Sequence, residues 1–184
     1  MPVAKARTIE MNFQLDEALT ILDRTPRIFD ALLRDQSADW LNSRIDPKAF
    51  SPLDVLGHVM FAEIDDWIPR ARNILEFKDS RPFDPFDRRG FNRLIDGKSV
   101  DELLQEFAGL RRKSLQTLRS FGLNEVKLDL PGRHPELGAV TMRQLLATWV
   151  VHDWNHIDQI LRTFSHQYTE EVGPWKAFLG ILNR

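Results

Sequence analysis

Apolar residues recur at helical spacing along four long stretches, and each stretch opens on a local start signal. In the first, about Glu10 to Asp35, the stripe is Leu15, Leu19, Leu22, Phe29, Leu32 and Leu33. Thr25-Pro26 predicts a break within it, with Thr25 as a cap and Pro26 in a first turn. The second begins at Ser51-Pro52-Leu53-Asp54, a short-armed capping box flanked by Phe50 and Val55 as a hydrophobic staple. It should run to about Phe77, with a kink at Pro69, whose ring removes the bond to the Asp65 carbonyl. The third opens with the box Ser99-Val100-Asp101-Glu102 and stops near Phe121 at Gly122. The fourth opens with Thr141-Met142-Arg143-Gln144, stapled by Val140 and Leu145, and runs to about Phe164. Gly173-Pro174-Trp175 predicts a short closing helix to about Leu182. The expected architecture is all-α: a four-helix bundle with a short C-terminal helix, one domain over residues 1–184.

The connections add detail. Lys78 to Lys98 is long for a loop inside a domain, which marks it as functional or disordered. Leu128 to Val140, with Pro131-Gly132 and Leu137-Gly138, suits a small extended turn. The chain has 42% hydrophobic and 28% charged residues, an ordinary globular composition. Its net charge of −2 and the lack of a long basic patch argue against nucleic acid as a partner. No stretch approaches the roughly 18 apolar residues that span a bilayer, so no membrane partner is expected. There is no cysteine, which excludes disulfides, thiolate ligands and a cysteine nucleophile. Met1 to Glu10 offers no signal-like apolar run, and a cytoplasmic location is expected.

Candidate chemistry concentrates on histidine. His152 and His156 stand four residues apart on the fourth helix, which places both rings on one face. At 100° per residue they share a sector with Leu145, Trp149, Ile160 and Thr163, an apolar, core-facing stripe. Buried imidazoles need partners for their nitrogens, and a shared metal ion would supply them. Bonds to neighbouring helix side chains would serve the same need. His58, mid-way along the second helix beside the small Gly57, can complete a three-nitrogen site. Three protein ligands leave coordination positions open, as catalytic sites do; structural zinc sites fill all four.

Asp65, seven residues after His58, falls on the same ideal face and is either a solvated carboxylate toward the helix end or a candidate catalytic group, as base, fourth ligand or acceptor to a ligand. Asp54 is explained by its capping role, and Asp153 points about 100° away from its histidine neighbour. His134 and His166 are expected to be exposed in loops. Arg81, Arg88, Arg89 and Arg93 could bind an anion, but interleaved Asp79, Asp84 and Asp87 dilute their charge. Trp149 could line a pocket; Trp40, Trp67, Trp154 and Trp175 are expected in core or interface packing. No P-loop, G-x-G-x-x-G or H-E-x-x-H occurs: the pair reads His-Asp-Trp-Asn-His, without the metalloprotease glutamate.

A histidine mid-way in helix two, an H-x-x-x-H pair in helix four preceded by a His-Pro…Leu-Gly…Thr turn, and the closing Gly-Pro-Trp together resemble the DinB-like superfamily. That resemblance implies an up-down-down-up bundle, often a homodimer, with a divalent metal held by His58, His152 and His156. It further implies a metal-dependent enzyme acting on a small molecule, such as a transferase using a low-molecular-weight thiol or a related hydrolase. The alternative is a non-catalytic, metal-binding, dimerising stress-response protein. Imidazole ligands suit zinc, nickel, iron or copper without choosing among them.

Overall fold

All three predicted capping boxes close. In a computed structural model that describes residues 12–183, Ser51, Ser99 and Thr141 each accept from the backbone N–H three residues on, and Asp54, Glu102 and Gln144 accept in return. The helices so started are α3 (Pro52–Asp65), α6 (Val100–Ser120) and α8 (Met142–His166). The first long helix is α1 (Leu15–Leu33); its expected start near Glu10 lies outside the described residues. Three short helices escape the periodic pattern, α2 (Ala38–Asn42), α5 (Asn92–Ile95) and α7 (Glu125–Leu128), each too brief to show a stripe.

Proline acts differently at its two helical positions. At Pro69 the interruption is complete: α3 ends at Asp65, Asp66 takes φ −114° and ψ −77°, and α4 (Trp67–Phe77) starts afresh. At Pro26 the predicted break does not occur, and α1 runs through it. Proline has no N–H for the carbonyl one turn back, here that of Leu22. The Arg111 guanidinium donates to that oxygen at 2.8 Å instead, so the unbroken helix leaves no orphaned acceptor.

Contacts fix the helix directions. Arg34, after the end of α1, pairs with Asp101 at the start of α6 at 2.8 Å, so these helices are antiparallel. Val55, Val59 and Met60 cluster with Leu103, Leu104 and Phe107, and Glu63 meets Arg111 further along, so α3 and α6 are parallel. His58 faces His156 while Trp67 stacks on Trp149, which sets α8 antiparallel to α3–α4. Leu19 shares a cluster with Leu146, and Phe29 shares one with Ile160, so α1 and α8 run together. The order is up-down-down-up. Its two parallel neighbours, α3–α4 and α6, need the long 78–98 crossover between them.

That crossover is pinned by the buried Phe83 and Phe91 and carries the short α5 (Asn92–Ile95). Gly57 admits it: a Cβ there would lie 2.6 Å from Ile95 Cγ2 and 2.8 Å from Phe91 Cδ2. The approach that Gly57 permits is therefore by the crossover. The 128–140 connection forms an antiparallel hairpin, β1 (Pro131–His134) with β2 (Gly138–Thr141). Phe83 N donates to Arg133 O at 2.9 Å, tying crossover to hairpin. The closing segment is two 3-10 turns, Gly173–Phe178 and Gly180–Leu182, where a helix was expected. Trp175 and Phe178 are exposed, so no core contact offsets the cost of a short helix.

At the junction of the two apolar clusters lies a charge knot. Arg111 is 1% exposed and gives Asp153 two bonds, at 2.7 and 3.1 Å, and Glu63 one, at 2.9 Å. With Leu22 O, this one side chain joins α1, α3, α6 and α8. Burial acts to raise both carboxyls; at Asp153 Arg111 and neighbouring donors together outweigh it and the pKa is lowered, whereas at Glu63 burial prevails and the pKa is raised.

Candidate metal centre

The fold brings the three histidines together. His152 Nε2 lies 3.2 Å from His58 Nε2 and 3.1 Å from His156 Nε2, and one nitrogen from each ring falls within 4.8 Å of the others. Ligands at about 2.0–2.1 Å from a tetrahedral ion stand about 3.3 Å apart, close to these spacings. Position follows from phase. Leu145, Trp149, His156, Ile160 and Thr163 are buried, as their shared stripe requires, and His152 sits at its half-buried edge.

Hydrogen bonds among the rings do not satisfy them. Gln159 Oε1 lies 2.9 Å from His156 Nδ1 and accepts its proton, which leaves Nε2 with a lone pair facing His152. His58 Nδ1 and His152 Nδ1 are buried without a partner, although Asp153 Oδ1 lies 4.0 Å from the latter. Burial first, then the charge of His152, pushes His58 down to about 4 and His156 to about 3. Both rings therefore stay neutral near pH 7, the form that binds metals. The donor set and the spacing of the converging Nε2 atoms fit a divalent ion.

Apolar rings wall the group. Trp67 stands edge-on to His152 at 5.0 Å, and Phe50 and Phe86 lie 5.7 and 5.5 Å from the His58 ring. Above the imidazoles opens a cavity of about 410 Å³, also lined by Asp66, Arg70, Arg88, His134, Glu136 and Gln159. Asp65 is not brought there. It is exposed and lines a separate depression with Asn73 and Asp84. The chain break at Asp66 ends the ideal helical phase, and Asp66, 7% exposed, lines the cavity instead. Burial raises its pKa against the pull of Arg70, its ion-pair partner at 2.6 Å.

His134 was expected in an exposed loop but is half-buried on β1 and lines the cavity, whereas His166 is exposed at the end of α8. Arg88 alone of the four crossover arginines reaches this cavity. Trp149 is buried and stacked on Trp67, while Trp154 and Trp175 are exposed. Gln159 had a legible signal, since it stands three residues after His156 on one helix. His134 and Asp66 had none, because hairpin folding and a helix break placed them.

A family model of the DinB superfamily matches residues 21–160. The chain belongs to the DinB superfamily. No curated protein matches its sequence significantly. Among solved structures, YfiT from Bacillus subtilis, described as a probable metal-dependent hydrolase with an unusual four-helix bundle topology, is similar at a TM-score of 0.71. It is 19% identical, over 89% of this chain and 93% of that one. TT2238, described as a four-helix bundle protein, is similar at a TM-score of 0.56 and 22% identity, over 80% of this chain and 98% of that one. At such identities the likeness speaks to the fold, which both share with this DinB-superfamily chain. Among the described residues, no helix is long and apolar enough to cross a membrane.

Proposed function

We propose that His58, His152 and His156 bind one divalent metal, and that the protein is a metal-dependent enzyme acting on a small molecule, with water or a low-molecular-weight thiol as nucleophile. The observation that carries this reading is the convergence of three imidazole nitrogens at the floor of an open cavity. A closed structural site would take a fourth protein ligand. The description of YfiT as a probable metal-dependent hydrolase points the same way.

When bound, a divalent metal supplies Lewis-acid polarisation and a nucleophile active near neutral pH. The chain supplies the rest. Gln159 fixes the tautomer and orientation of His156. Trp67, Phe50 and Phe86 shield the sides of the imidazoles that pack against them from water and so strengthen electrostatic interactions there. Asp66, buried at the cavity wall with a raised pKa, accepts and returns the proton of the nucleophile. Val151 and Trp154 on the outer face of α8, with Trp175 and Phe178, leave exposed apolar surface that supports a homodimer.

Elemental analysis after chelator-free purification tests the centre: about one divalent ion per chain is expected. Less than that, with no uptake on titration, refutes it. Turnover of ester, amide or electrophile-plus-thiol panels tests the catalytic reading; it requires activity lost on chelation and in His152→Ala. Light scattering tests the dimer, which a monomer at micromolar concentration refutes.

A further inference from the structure

The cavity wall carries a bias that the histidines do not explain. Of its two guanidiniums, Arg70 is engaged by Asp66 at 2.6 Å and lies 5.3 Å from the Phe83 ring. Arg88 lines the same cavity, and among the described residues its side chain has no hydrogen-bond or ion-pair partner. The same cavity is lined by His58, His152 and His156, so Arg88 and the three imidazoles face one space.

The neighbouring polar groups are also donors. His134 Nδ1 accepts from the backbone N–H groups of Glu136 and Leu137, both at 3.1 Å, so the neutral ring carries its proton on Nε2. Gln159 uses Oε1 on His156 and keeps its amide N–H groups. Against these stand Asp66, already paired with Arg70, and Glu136, exposed on the hairpin turn. One free guanidinium flanked by neutral donors suits a monoanion, and the planar fork of arginine matches a carboxylate. A dianionic phosphate would call for more cations than the wall provides. About 410 Å³ lies at the small end of the range for ligand cavities, about 300–1,000 Å³.

We infer that the cavity selects small carboxylates, with Arg88 gripping the carboxylate while another part of the molecule reaches the three histidines. This rests on the metal reading above and adds the substrate class to it. The probes are two ligands differing only at the far end: succinic acid monohydroxamate and its neutral carboxamide analogue, both with the same metal-binding hydroxamate. Calorimetric titration of zinc-loaded protein should show a preference for the carboxylate of about tenfold or more. In Arg88→Gln the preference should vanish with the carboxamide affinity unchanged; Arg88→Lys should restore part of it. Because Arg88 is exposed, neither variant threatens the fold, which circular dichroism checks. Equal affinities in the wild type, or a preference that survives Arg88→Gln, overturns the inference while leaving the metal centre intact. If the protein takes up no zinc, the metal reading fails separately. The same pair on metal-free protein then decides: a carboxylate preference lost in Arg88→Gln supports the anion grip, and equal binding overturns it.

Discussion

Replacing Arg111 with methionine removes the cation from beneath the metal group and leaves Glu63 and Asp153 buried without it. Breaking a buried ion pair by deleting one partner costs about 3–5 kcal/mol. The Leu22 carbonyl loses its donor as well, and Pro26 cannot supply one; an orphaned buried acceptor costs about 1–3 kcal/mol. Glu63, already raised by burial, can take up a proton and remove one of the stranded charges. The expected loss is therefore about 4–6 kcal/mol, against a total stability of about 5–15 kcal/mol for a typical domain. Urea unfolding of chelated protein, followed by tryptophan fluorescence, measures it. A double-mutant cycle isolates the carbonyl: Pro26→Ala restores a helical N–H for Leu22 O and should help the Arg111→Met background by about 1 kcal/mol more than the wild type. An Arg111→Met loss below about 1 kcal/mol would refute the knot as a stabilising unit. Additivity within about 0.5 kcal/mol would refute the shared carbonyl.

Other outcomes follow from single contacts. Gln159→Leu removes the acceptor of His156 Nδ1 and should weaken metal binding about 10–100-fold without changing the helical signal, read by competition with a chromophoric chelator. Metal at about a hundred times its Kd adds about 2.7 kcal/mol, or about 5–11 °C in Tm for a chain of this size; no shift on chelation argues against a bound ion. Burial, aided by Arg70, lowers His134 below its ordinary 6.5. The folded form thus favours the neutral ring: its contribution is complete above about pH 6.5 and is lost as pH falls through the lower folded value. NMR titration checks this, and a His134 pKa at or above 6.5 refutes it. Acidification should also expose the Glu136 and Leu137 amides to exchange, since their acceptor takes up a proton.

Local signals in the sequence carried the long helices. Ser51, Ser99 and Thr141 announce their helices because capping is settled within four residues. The His152–His156 pair was legible for the same reason, as was its buried face. What escaped depended on distant partners. Pro26 reads as a breaker because the group that rescues its helix, Arg111, is 89 residues from the Leu22 carbonyl it serves. Asp153 reads as pointing away from the metal pair, yet its side chain is fully buried against Arg111. Asp65 and Asp66 exchange places at the cavity because ideal phase fails at the chain break before Pro69. His134 reaches the cavity through a hairpin fold that spacing alone does not show.

The charge knot also bears on how the bundle is assembled. A slip of any one helix by a turn, about 5.4 Å, takes its carboxylate or carbonyl out of reach of the guanidinium. Aliphatic packing tolerates such a slip far better, because one leucine row resembles the next. The cluster of Arg111, Glu63, Asp153 and Leu22 O therefore acts as an alignment key for all four helices. Asp153 follows His152 directly and Glu63 lies five residues beyond His58, so the key that aligns the helices also levels the imidazoles. A chain with a misaligned bundle keeps its helical content and its three histidines but presents them at different heights. Metal uptake is thus a sensitive report of correct assembly, able to separate native from misregistered material where circular dichroism sees no difference.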